Sequence, residues 1–162
     1  IVFGDWSSDV CSSDLPFGHI AEMNDDSATL TFNTIGRHVS SYVRTKVTSK
    51  LSPWLSLSDE GEIHLIPVSH GEGRFIAPPE TLKQLFESGQ VATLYVDEEG
   101  HPAAQMPYNP NGSACAIEGI TSPDGRIFGK MGHSERKGPH IAKNIPGPKD
   151  QKIFESGVAY FK

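Results

Sequence analysis

Glycine and proline punctuate this chain along its length, making up 16 and 12 of its 162 residues. In a helix interior each glycine costs about 1 kcal/mol and each proline about 3 kcal/mol relative to alanine. The chain must therefore break into short elements, which points to a loop-rich globular protein rather than a helical bundle or a disordered tail. A chain of this length fits one ordinary domain and can bury roughly 70% of the surface its unfolded form exposes.

Between the breakers, short periodic stretches can be placed. Residues 29–35 read as a strand from their β-branched and aromatic content. In residues 41–48, Val43, Thr45 and Val47 alternate with Tyr42, Arg44 and Lys46, the period-two pattern of a half-buried strand. Residues 63–69 are a third candidate. Pro78, Pro79 and Glu80 open a short helix, since proline is tolerated in a first turn and glutamate favours the positive helix end. Leu82, Leu85 and Phe86 share one face of it, and Gly89 closes it in the left-handed conformation. The chain returns as a strand over residues 91–96, which is a helix-to-strand unit of an α/β fold.

Residues 114–120 and 126–131 read as a hairpin around a Thr-Ser-Pro-Asp-Gly turn, with Cys115 buried in its first strand. Asp150 is placed to cap a last helix whose Ile153, Phe154, Gly157, Val158 and Phe161 fall on one side and pack on the sheet. One α/β domain is the expectation.

Lys and Arg total 14 against 20 Asp and Glu, a formal charge of −6, and no basic run carries interleaved aromatics. A nucleic-acid partner is excluded on that ground. The two cysteines, Cys11 and Cys115, give neither a disulfide framework nor a zinc motif, and the seven histidines are scattered, so no metal is expected. Cysteine usage fits a reducing, cytoplasmic location. No run of about 18 apolar residues exists and the N-terminus lacks the form of a signal peptide, so no membrane partner is expected.

The chain starts at Ile1 rather than Met, and Ser7-Ser8-Asp9-Val10-Cys11-Ser12-Ser13-Asp14 almost repeats itself. That stretch resembles a translated sequencing adapter. Residues 1–14 are accordingly read as a non-native segment and residues 15–162 as part of a domain. The alternative is a natural serine-rich linker.

Three segments concentrate polar chemistry. Gly132-His133-Ser134-Glu135 follows the hairpin, and in extended backbone residues two apart point to the same side, so Glu135 can orient His133. A carboxylate on one ring nitrogen fixes the tautomer while the other nitrogen exchanges a proton with a nucleophile. The spacing alone equally describes a surface hydrogen bond. His70-Gly71-Glu72-Gly73-Arg74-Phe75 brings backbone close to a ligand or to a neighbouring loop; it also reads as a tight turn with an Arg–Glu pair. It does not fit a phosphate-binding loop. Tyr108-Asn109-Pro110-Asn111-Gly112-Ser113 reads by default as a surface loop entering the hairpin.

Taken in order, Leu15-Pro16-Phe17-Gly18, Thr29-Leu30-Thr31-Phe32-Asn33, the His70 to Phe75 segment, Asn109-Pro110-Asn111-Gly112-Ser113, Gly119 to Arg126 and Gly132-His133-Ser134-Glu135-Arg136 resemble a known family. It is the C-terminal class I glutamine amidotransferase (glutaminase) domain of phosphoribosylformylglycinamidine synthase, in its long single-chain bacterial form. The resemblance spans residues 15–162. It implies a flavodoxin-like doubly wound parallel sheet, here incomplete, with additional antiparallel strands. It also implies a Cys-His-Glu triad in which His133 is the general base and acid and Glu135 its orienting partner. His70, Asn109 and Asn111 become candidate glutamine-binding residues.

The reaction so implied is hydrolysis of glutamine by a cysteine thiolate. The ammonia passes to a synthetase domain that uses ATP and Mg²⁺ to make formylglycinamidine ribonucleotide in purine biosynthesis. Nothing in this chain resembles that domain, so no cofactor is expected here and the synthetase is the expected partner. Two departures stand out. Many class I amidotransferases carry proline between the catalytic His and Glu, where this chain has Ser134. The family nucleophile lies in a G-x-C-x-G elbow shortly before the Leu15 segment, and Cys11 lacks the flanking glycines that shape such an elbow and its oxyanion hole. Cys11 is not equivalent, and the chain alone is expected to be inactive. The rival readings are a nucleophile-free docking or regulatory module for a synthetase subunit, and a different Cys-dependent hydrolase of related fold.

Overall fold

The computed structural model describes residues 28–162. The expectations for residues 1–14, for Cys11 and for the Leu15 to Gly18 motif lie outside the described residues.

Among the described residues two sheets are formed. Strands β1 (Thr29–Thr31) and β4 (Arg74–Ile76) pair antiparallel, Leu30 opposite Phe75. The larger sheet contains β2 (Val39–Val47), β3 (Ile63–His70), β5 (Val91–Val96), β6 (Ile117–Thr121) and β7 (Phe128–Lys130), in the order β3-β2-β5-β6-β7. Every pairing is antiparallel. The expected parallel sheet therefore has no strand pair among the described residues. A parallel pair needs a crossover that returns to the same sheet. Here the helix α1 (Pro79–Glu87) instead joins strands of different sheets, β4 and β5.

The alternation read in β2 holds, with Val43, Thr45 and Val47 buried. Strand β5 is buried at all six positions because it is covered on both faces. Val91 and Leu94 pack with Leu85 of α1, whereas Ala92 packs with Trp54, Leu55 and Ile153. Val91 and Ala92, as neighbours, point to opposite faces, and the register shifts that follow them bring Leu94 to the side of Val91, so α1 and the last helix, α2 (Ile153–Tyr160), cover opposite sides of the sheet. Burying the apolar part of side chains such as Leu85 and Ile153 stabilises the layers by about 1.5–3 kcal/mol each.

Several boundaries differ from expectation. The first strand stops at Thr31 because the chain turns at Asn33, whose N–H donates to the Gly71 carbonyl at 2.8 Å. Gly89 takes the predicted positive φ, +72°, but Phe86 points outward from α1 and is 42% exposed. The strand before the hairpin begins only at Ile117. Residues Ala114–Ala116 form a 3₁₀ turn, and Cys115, at φ 50°, is exposed rather than buried in a strand.

The last helix also turns a different face to the sheet. Ile153, Ser156 and Gly157 are buried, while Phe154, Val158 and Phe161 are exposed. The cause is Trp54, seated in a 3₁₀ turn (Pro53–Leu55): a Cβ at position 157 would run into its ring, so the glycine permits the contact that fixes the rotation of α2. Asp150 does not cap the helix directly. Lys152 takes the cap position in the left-handed conformation, and Asp150 accepts from its N–H and from the Lys137 ammonium.

Candidate active site

The hairpin delivers its last residues to the edge of β3. Met131 N–H donates to the Glu118 carbonyl at 3.0 Å, extending the β6–β7 contact by one residue, and His133 N–H donates to the Pro67 carbonyl of β3 at 2.8 Å. His133 is thus held by backbone across the β6–β7 end of the sheet and β3. Its Nδ1 lies 2.8 Å from Glu135 Oε1, with the imidazole 10% and the carboxylate 45% exposed.

The pair predicted from spacing is present, but the backbone between its members is a turn rather than extended. Arg136 N–H donates to the His133 carbonyl at 3.2 Å and Lys137 N–H to the Glu135 carbonyl at 2.9 Å. The turn folds Glu135 back onto the ring. Arg136 Nε stands 3.7 Å from the same carboxylate oxygen, on the solvent side.

His70 closes β3 three residues after Pro67. Both its ring nitrogens are buried without a hydrogen-bond partner, and the ring lies against Gly73, where any Cβ would collide with Cε1 and Nδ1. Its pKa is lowered to about 4, chiefly by burial, with His38 and His133 acting in the same direction and Glu118 opposing them. His70 is therefore a neutral imidazole at neutral pH.

Asn109 and Asn111 are buried, and their amides are engaged inside the protein. Asn109 Oδ1 accepts from the N–H groups of Gly112 and Ser113, and its Nδ2 donates to the Ser113 carbonyl. Asn111 Nδ2 donates to the Gly73 carbonyl and to the Tyr95 hydroxyl. Ser113 joins the same contact, its hydroxyl donating to Gly73 O and accepting from Phe75 N–H, and Arg74 Nε donates to Gly112 O. The loop at 109–113 and the loop at 70–75 are thus one docked unit. Neither the default surface loop nor the simple tight turn describes them.

Sequence reasoning gave no role to Asn33, Glu118, Lys130 or Gln151. Asn33 staples the loop at 70–75: its Nδ2 donates to the carbonyls of His70 and Arg37, and its Oδ1 accepts from Gly73 N–H. Glu118 and Lys130 form an ion pair at 3.2 Å with side chains 0% and 4% exposed. The available signal was a charged residue at each of two positions inside otherwise apolar hairpin strands; charges almost never go fully inside unless paired. Gln151 gave no such signal. Among the described residues no group of three or more His, Cys, Asp or Glu side chains could hold a metal ion, and no helix is long and apolar enough to cross a membrane.

A family model for the CobB/CobQ-like glutamine amidotransferase domain matches residues 12–161. The phosphoribosylformylglycinamidine synthase subunit PurQ of Aquifex aeolicus is 34% identical over 111 residues, 68% of this chain and 48% of that protein. The PurQ subunit of Chlorobium luteolum is 46% identical over 97 residues, 60% of this chain and 40% of its own length. That of Methanosarcina barkeri is 36% identical over 131 residues, 81% and 54% respectively. A chain in the structure of PurLQS from Thermotoga maritima superposes with a TM-score of 0.62 at 26% identity, over 84% of this chain and 54% of that one. The chain thus spans about half the length of the curated relatives it matches. By sequence and by fold, it belongs to the CobB/CobQ-like glutamine amidotransferase domain family.

Proposed function

We propose that this chain is the C-terminal part of the glutaminase of a phosphoribosylformylglycinamidine synthase, hydrolysing glutamine to supply ammonia for the ATP-dependent formation of formylglycinamidine ribonucleotide. The observation that carries the reading is the His133–Glu135 contact, 2.8 Å, at the end of the hairpin in a chain of this family. Glu135 accepts the Nδ1 proton, which fixes the tautomer and stabilises the imidazolium when it forms; proton exchange then falls to Nε2.

In the proposed reaction His133 takes the proton of a cysteine thiol, and the thiolate attacks the side-chain amide carbon of glutamine. The tetrahedral intermediate collapses as His133 protonates the departing ammonia, leaving a glutamyl thioester. Water attacks the thioester, giving up a proton to His133, and glutamate leaves as the thiol is restored. The cysteine is assigned to a G-x-C-x-G elbow in a segment upstream of Leu15. Neither Cys11 nor the exposed Cys115 is given that role, so the chain by itself is proposed to be inactive. The flavodoxin-type parallel strands are assigned to the part of the relatives' length that this chain does not span.

His70 is proposed to meet the polar end of bound glutamine, because its two ring nitrogens have no hydrogen-bond partner within the protein. Asn109 and Asn111 act on the same site by holding the loop that carries His70 against the sheet. The proposed partner is the synthetase, supported by the PurQ subunit names and by the PurLQS likeness; ATP and Mg²⁺ belong to that partner.

The test is glutamate release from glutamine by two proteins: this chain, and the same chain with residues 1–14 replaced by the upstream elbow segment of a PurQ relative. Release from the extended protein alone supports the proposal. Turnover by the unextended chain above buffer would overturn its inactive part, and an inert extended protein that binds a synthetase on a sizing column would favour a docking module instead.

A further inference from the structure

Both neighbours of His133 are held by buried side chains. Gly132 N–H donates to Glu118 Oε1 at 2.7 Å, and Gly132 O accepts from Lys130 Nζ at 3.3 Å. On the other side, Ser134 Oγ accepts from Lys130 Nζ at 3.1 Å and donates to Gln151 Oε1 at 2.5 Å. The chain of contacts ends on two strands of the central sheet. Gln151 Nε2 donates to Thr45 Oγ1 of β2 at 3.2 Å, and Thr93 Oγ1 of β5 donates to Glu118 Oε2 at 2.5 Å. Position 132 has no room for a side chain, since a Cβ would press on Ile66, Glu118 and Lys130 together.

Stability is a poor reason to bury such a pair, because desolvation of two charges offsets most of their attraction and an apolar pair of similar volume serves as well. What the pair does here is specific: it fixes both peptide groups of Gly132 and, through the Ser134 hydroxyl, the first residue of the turn that folds Glu135 onto His133.

We infer that Glu118, Lys130, Ser134 and Gln151 form a positioning network for the His133 imidazole, with Ser134 as the residue that transmits it to the His133–Glu135 turn. The inference rests on the reading of His133 as the general base. Ser134 stiffens the turn through two buried hydrogen bonds.

The experiment is ¹⁵N NMR of the histidine-labelled 162-residue chain at a pH where the imidazole is neutral, with His133→Gln used to assign the ring. The wild type is expected to show a single tautomer, protonated at Nδ1. Ser134→Ala should leave the remaining amide spectrum in place and lower the tautomer ratio at His133 by about tenfold, the scale of one ordinary hydrogen bond, and Ser134→Thr should restore it. The volume-conserving pair Glu118→Gln with Lys130→Met should act in the same direction and serves if Ser134→Ala does not fold. A wild-type ring protonated at Nδ1 whose ratio neither change moves overturns the network while leaving the His133–Glu135 reading intact. A wild-type ring protonated at Nε2 overturns both.

Discussion

The imidazole of His70 lies flat against Gly73, so that the Cβ of any other residue at position 73 would overlap Cε1 and Nδ1 of the ring. Gly73 also supplies the carbonyl that Asn111 and Ser113 hold and the N–H that Asn33 Oδ1 accepts. One glycine therefore sets both the seat of the His70 ring and the docking of two loops. Gly73→Ala should destabilise the chain by about 1–3 kcal/mol, the usual cost of overpacking, seen as a lower urea midpoint with an unchanged slope. An unchanged midpoint would mean that the loops are not held together here.

A buried histidine, His64, and a half-buried one, His70, make stability depend on acid. Burial lowers the pKa of His70 to about 4 and also lowers that of His64, which Lys130 pushes further down and Glu62 holds up. The folded state keeps both rings neutral, whereas the unfolded chain binds protons below 6.5. Their contribution is thus fully present above about pH 6.5 and is lost as pH falls towards the folded values. For His70 the difference between 6.5 and about 4 amounts to roughly 3 kcal/mol. Urea titrations at pH 7.5 and 4.5 should show this loss, and His70→Gln should remove most of the His70 share.

Breaking the Glu118–Lys130 pair from one side leaves a charge stranded in the interior. Lys130→Met should cost about 3–5 kcal/mol, whereas changing both residues to neutral partners of similar size should cost far less. Chemical denaturation of the single and double variants checks this; equal costs would show that the pair is not coupled.

Gly157→Ala pushes a methyl group into the Trp54 ring, which also donates its indole N–H to the Arg126 carbonyl at 2.7 Å. A loss of about 1–3 kcal/mol is expected, with a shift in tryptophan fluorescence of the folded protein. No change in either would argue that α2 is not seated on Trp54.

Much of this was legible from local pattern. The period-two burial of β2, the helix from Pro79, the Gly89 closure, the strand at 91–96 and the hairpin turn at Gly125 all follow from rules that act within a few residues. The His133–Glu135 pair was legible from spacing, although it is reached through a turn rather than an extended segment. What local pattern missed was decided at long range. The face of α2 is set by Trp54, about a hundred positions earlier, and Cys115 is turned outward by a loop whose contacts run to Gly73. Glu118 and Lys130 looked like ordinary strand charges because nothing nearby in sequence reveals that each is the other's partner. Asn109 and Asn111 read as part of a surface loop and, by resemblance, as candidate glutamine-binding residues; their hydrogen bonds within the protein could be assigned only once the two loops were docked.

The central claim is that His133 and Glu135 are the base and its orienting partner in glutamine hydrolysis. Its most direct test is the turnover of the chain extended upstream through a cysteine elbow, compared with its His133→Ala and Glu135→Gln variants. The account predicts that kcat falls by about 10⁶-fold for His133→Ala and by about 10⁴-fold for Glu135→Gln, magnitudes seen for the matching members of other triads, with folding unchanged. An extended protein that keeps its turnover after His133→Ala would contradict it.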